Sequence, residues 1–318
     1  MKQIKLGTTT LTVSPLCMGT VSFGSRMDDA ASFAFLDHFY ALGGNFLDTA
    51  RVYADWMSDV KQSSEKCLGR WLKARGLQDR IVVATKGGHP PLDGSGGPTL
   101  SAEELLQQAQ DSCRNLGLDT LPLYYLPRDD PSLPVAQIMD ALFLLQDKGL
   151  VQYLGCSNWR EDRIRAANSY AKACGRDGFC AVSNQWSLAR SVPGVGDPTI
   201  VHHDDALHLF HQEDQLPLLP FTSMANGYLS KLAENREISP ALQKIFGLPE
   251  NDDIARRAKE LAAQKGMTVA QVAQCFFYAQ PFQVIPVMSF STIAQMEESA
   301  AATDLHITAE EANWLLRS

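Results

Sequence analysis

Eight times along this 318-residue chain, a short apolar run of strand character is followed by a segment of helical period. The runs fall at 16–19, 45–47, 81–85, 123–126, 153–156, 180–184, 216–220 and 284–286. Strands that alternate with helices read as parallel neighbours joined by crossovers, and eight such units close naturally into a barrel. The length agrees, since a chain this long sits near the limit for one hydrophobic core and the α/β barrel is an architecture that reaches it. No Pro/Gly/Ser-rich linker divides the chain, so residues 1–318 are expected to form one α/β domain, a (β/α)8 TIM barrel. Ahead of it, Leu6-Gly7 and then Leu11, Thr12 and Val13 have the pattern of a β-hairpin.

The intervening segments carry helix signals. In DDAASFAFLDHFYALG, the residues Phe33, Phe35, Leu36, Phe39 and Leu42 share one broad face. Ser101 with Glu104, and Thr268 before VAQVAQCFFYA, have the form of N-terminal caps. Two longer connections, 86–100 and 187–200, follow strands and so belong to the C-terminal face of a barrel, where ligands bind.

Composition narrows the function. A net charge of −8 without blocks of like charge argues against a nucleic-acid partner, which needs a basic surface. The seven dispersed cysteines, none in a CxxC pair, suit a reducing compartment. No stretch approaches the apolar length of a membrane span and the N-terminus lacks a continuous apolar signal core, so the expectation is a cytoplasmic protein acting on a small molecule. Monomer is the default for the fold.

The chain has no GxGxxG opening a helix after the first strand, no GxxxxGK[ST] loop and no HExxH, which disfavours Rossmann, P-loop and zincin chemistry. His202, His203, Asp204, Asp205, His208 and His211 are the one metal-like cluster; no coordination geometry follows from their spacing, and a solvated helix without metal is the expectation. More informative are Asp48, closing the second strand, Tyr53 five residues further on, and Lys86, closing the third. Adjacent parallel strands set Asp48 and Lys86 side by side at the barrel mouth, with Tyr53 able to fold over them. A free phenol titrates near about 10, and an ammonium beside it is expected to lower that value toward the range of a general acid. A buried ion pair beside a core tyrosine is the other reading of the same spacing.

With these three residues, the sequence resembles the aldo-keto reductase family. The resemblance rests on Asp48-Thr49-Ala50 with Tyr53, SEKCLGRWL from Ser64, ATKGG around Lys86, GCSNW from Gly155, NQWS from Asn184, and a late Gln295/Glu298 pair. It is collinear over nearly the whole chain and leans toward bacterial-type members related to aryl-alcohol dehydrogenases and potassium-channel β subunits. It implies an extended nicotinamide cofactor held without a Rossmann motif, NADP(H) first and NAD(H) as the alternative, and a small carbonyl or alcohol substrate. Asp48, Tyr53 and Lys86 would be catalytic, with Tyr53 the proton donor. Ser157, Asn158 and Gln185 would hold the carboxamide and Trp186 would stack on the nicotinamide. Gly19 and Thr20 would lie beside the cofactor, and Phe221, Thr222, Ser223, Met224, Ala225, Gly227 and Leu229 would line the pyrophosphate region. Ser289, Ser291, Gln295, Glu298 and Ser299 would face the adenosine end.

The chain departs from the family at one position. Where the family has a histidine that orients the carbonyl, in a motif like YxLHR, this chain reads YYLPR, so the residue is Pro127, which neither donates a hydrogen bond nor titrates. Loss of one such donor costs about 2.7–4 kcal/mol, or roughly 10²–10³ in rate. Four accounts stand open: reduction by Tyr53 alone, an imidazole supplied by His89, a cofactor-binding scaffold or redox sensor of little turnover, or a different reaction at the same site. Trp56 and Trp159, on ligand-face loops, are expected beside His89 and Pro127 as pocket walls. Arg128, Asp129 and Asp130 read as a rim ion-pair network or a helix cap, and Trp71 as helix packing. Ser291 stands where members selective for the phosphorylated cofactor usually carry a cation, so weak discrimination against NAD(H) is expected.

Overall fold

The computed structural model describes residues 1–56 and 60–317. An antiparallel hairpin of β1 (Ile4–Lys5) and β2 (Thr12–Val13) precedes the parallel strands β3 (Cys17–Gly19), β4 (Phe46–Asp48), β5 (Val82–Lys86), β6 (Leu121–Leu126), β7 (Val151–Ser157), β8 (Phe179–Ser183) and β9 (Val287–Met288). The order of the parallel sheet is β8-β7-β6-β5-β4-β3-β9. Residues 216–221 form the remaining stave, as isolated bridges from Leu218 to Val182 on one side and to Val284 on the other. Pro217, Pro220 and Pro286 explain why this seam is bridges and not ladders, because a proline has no N–H to give. The bonds that remain, such as Leu219 N to Val182 O at 2.7 Å and Val287 N to Pro220 O at 2.9 Å, close the curl into a (β/α)8 barrel.

Twelve α-helices occur among the described residues. They are α1 (Asp29–Ala41), α2 (Ser63–Arg75), α3 (Ala102–Leu116), α4 (Val135–Asp147), α5 (Glu161–Ala173), α6 (Asp205–Asp214), α7 (Tyr228–Ala233), α8 (Pro240–Phe246), α9 (Pro249–Lys265), α10 (Val269–Tyr278), α11 (Ile293–Ala302) and α12 (Ala309–Leu315). The caps read from sequence are made: Ser101 accepts from Glu104 N, and Thr268 and Gln271 form a reciprocal capping box. Helix α1 differs from its expected face, because Ser32, Leu36 and Phe39 are the buried residues while Phe33, Phe35 and Leu42 pack half-buried around them. Trp71 is buried on α2 and donates to Asp37 Oδ1 at 2.8 Å. No helix among the described residues is long and apolar enough to cross a membrane.

Two cores result from the two faces of the strands. The outer one lies between strands and helices; the inner one fills the barrel with Cys17, Phe46, Ala84, Leu123, Tyr125, Ala181, Leu219 and Ile285, plugged from below by Leu6, Leu11 and Val13 of the hairpin. Gly155 belongs to this packing. A Cβ there would stand 2.4 Å from the Tyr125 ring, so the absence of a side chain on β7 is what admits a tyrosine on β6.

The histidines near α6 correct the expectation of a solvated face. His211 is fully buried, and His203 and His208 join it around Trp186 and Phe282, with the His203 and Trp186 ring centroids 4.1 Å apart. His203 Nε2 and His208 Nδ1 lie 3.4 Å apart, and no metal-like cluster of three or more His, Cys, Asp or Glu occurs among the described residues. Burial pushes His211 down to about 4, and burial with the neighbouring histidines pushes His203 down to about 2. The folded chain therefore holds these rings neutral where the unfolded chain would protonate them near pH 6.5. Their contribution to stability is complete above that pH and lost as pH falls, down to about 4 for His211 and about 2 for His203. Urea unfolding between about pH 7 and 5 should show stability falling by up to roughly 1.4 kcal/mol per pH unit for each ring, and His211→Phe should flatten the slope. An unchanged slope in that variant would contradict this origin.

Candidate active site

The period of two along each strand carries the inner core directly into a site. Inward residues step from Phe46 to Asp48, from Ala84 to Lys86, from Tyr125 to 127, from Gly155 to Ser157, from Ala181 to Ser183 and from Leu219 to Phe221. All six end residues line one open-mouthed cavity at the C-terminal end of the barrel, about 720 Å³ with the solvent-filled mouth included, together with Ala50, Val52, Tyr53, Trp56, His89, Arg128, Asn158 and Ile200.

Asp48 and Lys86 meet because β4 and β5 are in register, Asp48 opposite Ala84. Lys86 Nζ is 2.5 Å from Asp48 Oδ1 and 2.8 Å from the Thr49 carbonyl, and its third donor reaches the Tyr53 hydroxyl at 3.1 Å. Tyr53 arrives on a tight turn, with Tyr53 N bonded to Ala50 O and Ala54 left-handed at φ 72°. Its hydroxyl donates to Asp48 Oδ2 at 3.2 Å, and Trp56 meets its ring edge-on at 6.4 Å. Thr20 holds this arrangement from behind, donating from Oγ1 to the Asp48 carbonyl at 2.9 Å.

The phenol titrates differently from the sequence expectation. Burial and the Asp48 charge push Tyr53 up to about 12, and the opposing pull of Lys86 does not offset them. Burial alone would lower Lys86, but Asp48 and Tyr53 outweigh it and raise the ammonium above its ordinary value. The result is a triad with a firmly charged lysine and a firmly protonated tyrosine.

The structure places the other expected residues unevenly. Pro127 lines the cavity, its carbonyl accepting from Arg128 Nη1 at 2.7 Å and Asn158 Nδ2 at 3.1 Å. Asn158, left-handed at φ 59°, also accepts from Val201 N, so its amide is already engaged by the chain. Gln185 lies beyond the lining, bridged to His202 and Phe221. Trp186 turns outward to Phe276, Phe277 and Phe282, since it follows an inward 181, 183, 185 series by one residue; Phe221, not Trp186, brings a ring to the lining on this side. Trp159 is also no wall: it is fully buried against Phe179 at 5.1 Å. Trp56 is more than half exposed on the lining, and His89 is half-buried there. Ser183 was not singled out from sequence, although its step of two from Ala181 was the available signal.

Arg128 pairs with Asp197 at 3.0 Å and donates to Thr199 at 2.6 Å, while Arg163 grips Asp129 with two bonds of 2.8 Å, making the rim network. Helix α4 starts from Pro134 without a side-chain cap; Asp129 is an ion-pair partner, and Asp130 Oδ1 accepts from Ser132 N at 3.0 Å and Ser132 Oγ at 2.6 Å.

Past the triad come the residues expected along a nicotinamide dinucleotide. Phe221 leads into a turn in which Thr222, Ala225, Asn226 and Gly227 are all left-handed, and a second hollow lies among Ser187, Leu188, Ser223, Met224, Ala225 and Leu229. Ser223 is tied to Val287 O at 2.7 Å, and Gly19 approaches Ser289 so closely that a Cβ would stand 3.0 Å from its Oγ. Ser291 N donates to Gln295 Oε1 at 2.9 Å, and Glu298 and Ser299 follow on α11, Ser299 buried.

Comparison with known proteins agrees with this geometry. The sequence profile of the aldo/keto reductase family matches residues 15–315. An aldo-keto reductase, ausK, of Aspergillus calidoustus is 29% identical over 95% of this chain and 78% of its own. The aryl-alcohol dehydrogenase [NADP(+)] of Phanerodontia chrysosporium is 28% identical over 96% of this chain and 82% of its own, and norsolorinic acid reductase stcV of Emericella nidulans is 27% identical over 94% and 76%. A crystal structure of a thermostable aldo-keto reductase with the inhibitor epalrestat superposes with a TM-score of 0.73 over 99% of both chains, at 18% identity, and so shares the fold. With a profile match across nearly its whole length, this chain belongs to the aldo/keto reductase family.

Proposed function

We propose that this protein is an NAD(P)(H)-dependent oxidoreductase that reduces a small aldehyde, ketone or sugar-like carbonyl, with Tyr53 giving the proton. The observation that carries the reading is the Asp48–Lys86–Tyr53 constellation at the base of the cavity. Bound nicotinamide would supply the hydride, a reagent for which the chain has no group of its own. The residues do the rest. Tyr53 donates its proton to the carbonyl oxygen, and Lys86, held by Asp48 and the Thr49 carbonyl, stabilises the phenolate left behind. Ser157 and Ser183 bring hydroxyls to the cavity, while Trp56 and Phe221 bring aromatic surface suited to an aryl carbonyl, in keeping with the name of the aryl-alcohol dehydrogenase relative.

Because Tyr53 holds its proton up to about 12, kcat/KM for reduction should stay level from about pH 6 to about pH 10. A decline centred near about pH 8, absent from a Tyr53→Phe control, would contradict this assignment of the acid.

NADP(H) is the first choice of cofactor and NAD(H) the alternative. Ser291 is exposed and brings no charge to a 2′-phosphate, so the preference should stay below about 100-fold, near 2.7 kcal/mol. Calorimetric titration with both cofactors measures it, and a larger ratio would locate the phosphate on another cation.

Pro127 favours one second reading, a cofactor-binding scaffold or redox sensor with little turnover, since it sets an inert side chain on the cavity wall. Tight NADPH binding without Tyr53-dependent turnover would support that reading. In either case the protein is proposed to act in the cytoplasm, as one 1–318 domain and a monomer.

A further inference from the structure

The imidazole of His89 faces the same cavity as Tyr53, three residues beyond Lys86. Its loop is held by Gly88, left-handed at φ 85°, whose N–H donates to Gln108 Oε1 at 2.8 Å and whose carbonyl accepts from Thr99 N at 3.2 Å. His89 Nδ1 lies 2.6 Å from the Pro90 carbonyl. A carbonyl oxygen only accepts, so Nδ1 carries the hydrogen, and in the neutral ring Nε2 is left with a lone pair. Burial, with the nearby Arg128 charge, holds the imidazole below its ordinary titration range, which keeps that tautomer neutral. Nε2 has no hydrogen-bond partner among the described residues.

This geometry removes His89 as a replacement for the histidine absent at 127, since an acceptor nitrogen cannot polarise a carbonyl oxygen that is itself an acceptor. It suits the opposite task. Most other polar groups on the wall are donors or are already used: Lys86 is saturated, Asp48 is occupied by Lys86 and Tyr53, and Asn158 is bonded to Pro127 and Val201. Arg128, beside the ring, makes one bond from each of Nη1 and Nη2, leaving one hydrogen on each. A hydroxyl is the group that can donate to an imidazole nitrogen and accept from a guanidinium together; an ether or a carboxylate only accepts.

We propose that His89 determines substrate specificity, its Nε2 accepting a hydrogen bond from a hydroxyl on the substrate, so that the site takes hydroxylated carbonyl compounds. The proposal rests on the cavity being the carbonyl site described above. Calorimetry on the protein–NADP⁺ complex, where no reduction occurs, would compare benzaldehyde with its 3- and 4-hydroxy and its 3- and 4-methoxy derivatives. At one of the two positions the hydroxy compound should bind about tenfold more tightly than its methoxy counterpart, the ratio expected of one hydrogen bond. His89→Phe should bring that ratio to about one, and His89→Gln, which keeps an acceptor, should retain part of it. A change in pocket shape alone would shift both compounds together and leave the ratio intact. A ratio near one in the parent at both positions, or one untouched in His89→Phe, would overturn the proposal. Turnover without a hydroxyl preference would reject the role of His89 and keep the reductase; a preference without turnover would do the reverse.

Discussion

Replacing Tyr53 with phenylalanine is expected to lower kcat/KM for carbonyl reduction by about 10²–10⁴ while leaving the affinity for NADPH within about twofold. The substitution deletes one oxygen and keeps the ring, so the edge-on contact with Trp56 at 6.4 Å survives. Lys86 loses one of three acceptors but keeps Asp48 and the Thr49 carbonyl, so the buried ion pair is not broken. That distinguishes this variant from Asp48→Ala, which would strand a buried ammonium at a cost of about 3–5 kcal/mol and confuse lost chemistry with lost stability. Stopped-flow reduction and a cofactor titration on the same preparation give both numbers. Activity within about tenfold of the parent would show that the proton comes from elsewhere.

The second large effect runs the other way. Pro127→His should raise kcat/KM by roughly 10²–10³, the 2.7–4 kcal/mol that one donor to a developing oxyanion is worth. Position 127 continues the inward series of Leu123 and Tyr125 on β6 and lines the cavity with Tyr53, so an imidazole placed there faces the substrate. The anchors of the segment are backbone ones, Arg128 and Asn158 donating to the 127 carbonyl, and they do not depend on the proline ring. The substitution should cost about 0.4–1 kcal/mol through the freer unfolded chain, seen as a slightly lower Tm. Unchanged turnover with unchanged cofactor affinity would mean that the chemistry does not lack an imidazole at this point.

Much of the architecture was legible because strands and helices write their periods into the sequence. Six of the eight apolar runs became ladder strands, 216–220 is a stave of bridges in which prolines interrupt the ladder but Leu218 and Leu219 stay buried, and the last, 284–286, leads into β9 at Val287–Met288. The triad was legible for the same reason: strand ends locate Asp48 and Lys86, and register joins them. Side-chain direction after a strand ends was not. Trp159 follows the left-handed Asn158 and Trp186 sits one residue out of phase with Ser183, so motif adjacency pointed both rings at the cavity when they pack elsewhere. Ser183 was overlooked because a serine in an apolar strand carries no signal except its phase. The Tyr53 acidity misled for a different cause. Charge pairing can be read from a sequence, but the desolvation that pushes the phenol up to about 12 comes from the packing around it in the folded chain. The His203–His208–His211 cluster shows the same limit, since its burial comes from Phe282, far away in sequence.

In the proposed reaction, hydride passes to a carbonyl carbon above Tyr53. The most direct measurement is label transfer: incubate the protein with 4-nitrobenzaldehyde and NADPH deuterated at the transferring C4 position, and examine the alcohol by NMR. The expected product is an alcohol carrying one deuterium on its carbinol carbon, formed with matching loss of NADPH and suppressed in Tyr53→Phe. Tight binding of the cofactor with no deuterium in the product, or label transfer that persists undiminished without the Tyr53 hydroxyl, would contradict it.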